Sequence, residues 1–99
     1  MKKAKLDLKE FVKDETGKVA QGNMLISTAI AQRMLQSGSK DEAVIIKMVN
    51  WAMELGKEGY IEIDEGDVKT IKDWVVQNEE LFVIIKAPTI KALDKLKFK

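Results

Sequence analysis

The amino-acid sequence predicts a helix-rich α+β domain with about four helices, the last kinked at Pro88, and a small sheet formed by the N-terminal strand or hairpin and residues 60–63. Three observations carry this expectation. Apolar residues recur at spacings of three and four through most of the chain from residue 24 onward, the period of helices that each bury one face. Only KLDLKEFV at 5–12 and YIEI at 60–63 alternate apolar and polar side chains in the manner of half-buried strands. A chain of 99 residues, 45% apolar and 33% charged, reads as one small domain spanning residues 1–99, with a modest core.

In chain order, Leu6 and Leu8 alternate with Lys5, Asp7 and Lys9, which makes the first element a strand or extended arm. DETGK at 14–18 supplies turn chemistry, with Gly17 free to take positive φ, and Val19 pairing back would make 5–21 a hairpin. Asn23 is the expected N-cap of a first helix over MLISTAIAQRMLQ, ending at Ser37-Gly38. Its small residues Ser27, Thr28, Ala29 and Ala31 let a neighbouring backbone approach closely. Ser39-Lys40-Asp41-Glu42 has the form of a capping box and opens a second helix that runs to about Leu55, stopped by the glycines of GKEG.

The second helix is too apolar for one buried stripe. Val44, Met48, Trp51 and Leu55 form one row, Ile45, Val49 and Ala52 lie beside it, and Ile46 and Met53 fall toward the opposite flank. Two readings stay open: a central helix covered all round, or a helix whose extra face meets another chain. After the strand at 60–63, a third helix over about 65–77 places Val68, Ile71 and Val75 toward the core. Asn78 caps a fourth, with Leu81, Ile84, Ile85, Leu93 and Leu96 inward, and Pro88 kinks it or breaks it in two near Ala87.

The stretch YIEIDEGDVKTIKDWV carries the densest set of carboxylates, Glu62, Asp64, Glu65, Asp67 and Asp73. Asp64 and Asp67 stand at N-cap and N3 spacing, and Glu65 suits the positive end of the helix dipole. The spacing of an EF-hand calcium loop is not met. The cluster therefore reads as a helix start rather than as a cation site.

Composition narrows the chemistry further. There is no histidine and no cysteine, so Ser-His and Cys-His nucleophilic pairs, an imidazole base, thiolate metal sites and disulfides are all ruled out. No catalytic, cofactor-binding or metal-ligating residues are assigned, and the expectation is a protein that is not an enzyme. Net charge is +1, and arginine accounts for only one of seventeen basic residues, which argues against sequence-specific DNA recognition. Lysines do cluster at both ends, KKAK and KALDKLKFK, either as solvated termini or as a patch for nucleic acid. No apolar run approaches the ~20 residues needed to cross a bilayer, so no membrane partner is expected. MKKAKLDLKE lacks the apolar stretch of a secretory signal.

The residues left as candidates for an interface are Ile46, Val49, Met53 and Trp74. Met repacks readily around a partner and Trp anchors interfaces disproportionately, although both also fill cores. Trp51, within an apolar row, is assigned to the core, and Trp74 is left open between core and interface.

The order of segments resembles a loose group of small bacteriophage and prophage proteins. The features shared with that group are the Gly17-Lys18 turn after the first strand, the acidic helix start Ile63 through Asp67, and Ile71-Lys72 within the third helix. The resemblance spans nearly the whole chain and implies a phage origin, with no catalytic residues to carry over. Pro88 departs from the helix formers of that pattern. The expectation is a non-enzymatic phage-encoded protein acting through protein–protein contacts, in assembly or on a host protein, homo-oligomeric and located in the host cytoplasm or with the virion. The alternative is a nucleic-acid-associated protein that uses its lysine-rich ends.

Overall fold

A computed structural model of the chain describes residues 2–20, 22–37 and 41–98. Its elements, in order, are β1 (Ala4–Asp7), α1 (Ile26–Gln36), α2 (Glu42–Glu58), β2 (Tyr60–Ile63), α3 (Glu65–Gln77) and α4 (Val83–Asp94). This is the helix-rich α+β architecture that the patterning predicts. β1 and β2 pair antiparallel, with Ala4 opposite Ile63, Leu6 opposite Ile61, and Lys5 opposite Glu62. The alternation sends Leu6, Ile61 and Ile63 into the core and leaves the lysine and the glutamate outside. On that outer side the Lys5 ammonium lies 3.9 Å from the centre of the Tyr60 ring.

The first strand is shorter than the alternating stretch at 5–12. Beyond Asp7 the chain continues extended and serves α1 instead. Leu25, the N-cap, offers no side-chain acceptor; the Ile26 and Ser27 amides donate to the backbone carbonyls of Glu10 and Leu8, at 2.8 and 2.9 Å. Asn23 is therefore not the helix cap. It occupies the left-handed region at φ 52°, two residues before that cap, in a turn where its amide donates to Ala20. Val19 does pair back, through a single bridge to Lys13, with Gly17 at φ 82° in the turn between them; residue 21 lies outside the described residues.

α2 is capped by Asp41, whose side chain accepts from the Ala43 and Val44 amides. Ser39 and Lys40, the opening of the expected capping box, lie outside the described residues, as does Gly38. The helix also runs past Leu55 and through Gly56, because a helix interior tolerates one glycine. It stops at Gly59, which takes φ 80° and donates its amide to the Leu55 carbonyl at 3.0 Å. α3 begins where the sequence places it, on the Asp64–Asp67 capping box.

α4 starts later than Asn78. The Asn78 side chain accepts from the Glu80 amide at 3.0 Å and closes a turn, and the helix begins after Phe82. It is unbroken through Pro88, so the split into two helices does not occur. Pro88 leaves the Ile84 carbonyl without a helical amide donor, and one residue on the buried Thr89 hydroxyl donates to Ile85 O at 2.8 Å. Leu81 and Leu93 are inward and Ile85 and Leu96 half-buried, but Ile84 is exposed. The core lies between the sheet and the helices, with Ile30, Leu55, Ile71, Val75 and Leu93 essentially sealed from solvent.

Candidate interaction surface

The excess apolar surface of α2 faces outward. Met48, Trp51, Ala52 and Leu55 are buried, while Ile46, Val49 and Met53 remain 57%, 41% and 65% exposed, with Ile45 beside them. Of the two readings left open by the sequence, the covered central helix is thus excluded. Glu42, Ile46, Val49, Met53 and Gly56 follow one another at intervals of four, three, four and three residues. That spacing is a heptad-like seam along one side of the helix. Glu42 stands at its N-terminal end and Lys57 at its C-terminal end; neither makes an ion pair within the described residues.

Trp74 does not join this seam. It is half-buried and packed against the core, bordering a small cavity of ≈ 180 Å³ with Met34, Val44, Met48 and Trp51. Its indole N–H donates to the Ser37 hydroxyl at 3.2 Å, which ties α3 to the end of α1. Arg33, paired with Glu80, ties α1 to the turn ahead of α4. Met34 and Met48 are buried, whereas Met24 and Met53 are exposed.

The acid cluster is a helix start with one added partner. Asp67 is buried, and its Oδ1 lies 2.8 Å from the Lys47 ammonium on α2. Burial pushes the Asp67 carboxyl up, but the Lys47 ammonium and the Asp64 amide outweigh that and hold it below the usual carboxylate range. The same pair raises Lys47. Among the described residues no group of three or more acidic side chains is placed to hold a metal ion, and no helix is long and apolar enough to cross a membrane.

Sequence reasoning missed a second exposed apolar set at the start of α4, where Phe82 and Val83 are 73% and 77% exposed. The signal available was the unbroken run LFVII, too apolar for one face of a helix. Comparison of the chain with protein-family models, curated proteins and solved structures finds no match.

Proposed function

We propose that the chain is a non-enzymatic, phage-encoded protein that acts through protein–protein contacts and self-associates along the outer face of α2. It would serve in assembly or in modulating a host protein. The observation that carries this reading is the seam of Ile46, Val49 and Met53, exposed although apolar, on the longest helix of the fold. The phage origin rests on the resemblance in segment order and in the Gly17-Lys18, Ile63–Asp67 and Ile71-Lys72 features.

The seam also favours one geometry. Residues 42 and 57, and residues 46 and 53, are symmetric about the point between Val49 and Asn50. Two copies of α2 packed antiparallel about a two-fold axis would set Ile46 against Met53 and Glu42 against Lys57 of the other copy. Parallel packing would set like charges together at both ends.

Light scattering after size exclusion, run across protein concentration on the native chain and on Val49→Asp, tests the reading. The expected result is an oligomer for the native chain and a folded monomer for the variant, whose side chain already faces solvent. A native chain that stays monomeric at the highest concentration would remove self-association.

A further inference from the structure

We propose that the groove between the N-terminal segment and α4 docks an acidic amphipathic helix of a partner protein. The groove has a volume of ≈ 710 Å³, and its floor is apolar, built from Ile26, Ile84, Pro88 and Ala92. It follows α4 from Val83 to Lys95, roughly 18 Å at the rise of a helix, and so matches about three turns of a second helix laid along it. Phe11 and Val83 stay exposed at its mouth.

The rim names the charge of the occupant. Lys91 and Lys95 stand one turn apart on α4, and Lys13 faces them from the other wall. None of the three makes an ion pair among the described residues. Asp7, on the same wall as Lys13, already has the Lys9 ammonium at 3.6 Å, which leaves Glu10 as the rim carboxylate without a cation. A partner helix with carboxylates four residues apart would meet Lys91 and Lys95 while its apolar face fills the floor.

Other occupants fit less well. Groove-to-groove pairing of two copies would set a rim of four lysines, Lys5 included, and two carboxylates against its own like, an excess of positive charge that opposes association. An anionic bilayer presents one sign of charge across its whole width, and here Glu10 interrupts the lysines. A nucleic acid needs stacking platforms or a continuous basic track, whereas the floor is mostly aliphatic.

The test uses a fluorescein-labelled helical peptide of about four turns, with leucines at i, i+3, i+4 and i+7 flanked by glutamates. A charge-reversed peptide carrying lysines serves as the control. Binding is read by anisotropy and located by backbone NMR shifts on the full chain. The acidic peptide is expected to bind, to shift Phe11, Ile84 and Ala92, and to lose affinity roughly five- to ten-fold in Lys91→Gln/Lys95→Gln. Val49→Asp, on α2, is expected to bind as the native chain does, so this test stands apart from that of self-association. Equal binding of both peptides, unchanged affinity in the double variant, or shifts elsewhere would overturn the proposal. So would capture of duplex DNA or of phosphatidylglycerol vesicles by the same lysines without binding of the acidic peptide.

Discussion

Asp64 and Asp67 exchange hydrogen bonds: the Asp67 amide donates to Asp64 Oδ1 at 2.8 Å, and the Asp64 amide donates to Asp67 Oδ2 at 3.2 Å. Two donors at the start of α3 are thereby satisfied by two short side chains. Asp64→Ala is expected to cost about 1 kcal/mol in urea unfolding, and Asp67→Ala more than that, because it also removes the partner of the Lys47 ammonium. Because each change breaks the same reciprocal unit, the double variant should cost less than the sum of the two.

Asp67 also gives stability a defined pH dependence. Its carboxyl is held below the usual range in the native state, so the native chain binds fewer protons there than the unfolded one. That contribution is fully present above the unfolded carboxylate pKa of about 3.9 and is lost as pH falls through the native value. Lys47, raised chiefly by its hydrogen bond to Asp67, contributes fully below about 10.4, and its part is lost as pH rises through its native value. Asp67→Asn keeps an oxygen for the Asp64 amide but removes the charge. It should flatten both limbs of the stability profile while costing under about 1 kcal/mol at neutral pH, since Lys47 is half exposed. Acid limbs that superimpose for the variant and the native chain would show that the pair contributes nothing.

The two glycines at the end of α2 should respond in opposite directions. Gly56 lies within the helix with open space where a Cβ would stand. Gly56→Ala is therefore expected to stabilise by about 0.5–1 kcal/mol. Gly59 holds φ 80°, and a Cβ there would fall well inside contact with the Lys9 side chain. Gly59→Ala should cost about 1–2 kcal/mol, and thermal unfolding of the two variants separates these outcomes.

The proposed α2 pairing makes a charge prediction. Glu42→Lys and Lys57→Glu should each weaken self-association, by about 0.5 kcal/mol per exposed charge pair disrupted. The double variant, which restores opposite charges across an antiparallel pair, should recover it. Light scattering at matched concentrations reads the result, and a double variant weaker than either single one would exclude the antiparallel arrangement.

The sequence made some of these features legible and hid others, for local reasons. The start of α3 was readable because Asp64 and Asp67 cap it with their own side chains, three residues apart. The start of α1 was not, because its first amides are satisfied by Glu10 and Leu8, carbonyls brought in by the tertiary fold. At α4 the expected cap, Asn78, closes a preceding turn instead. The exposed seam of Ile46, Val49 and Met53 was visible as apolar content in excess of one helix face, while Trp74 depended on a partner, Ser37, that no spacing could indicate. The groove along α4 was hidden for the same reason as the Lys47–Asp67 pair: its walls come from distant parts of the chain.

Ser27 offers the sharpest test of the packing around α1. Its residue is 1% exposed, and its amide is satisfied by Leu8, but its hydroxyl is buried without a hydrogen-bond partner among the described residues. Burying an unpaired hydroxyl costs free energy that alanine would not incur, and alanine is of nearly the same size. Ser27→Ala is therefore expected to raise stability by about 1 kcal/mol, whereas Ser27→Val, which adds volume in a sealed position, should lower it by about 1–3 kcal/mol. Urea midpoints for the two variants decide the matter. A destabilised Ser27→Ala would mean that the hydroxyl is held by a partner after all, and that the first turn of α1 depends on it.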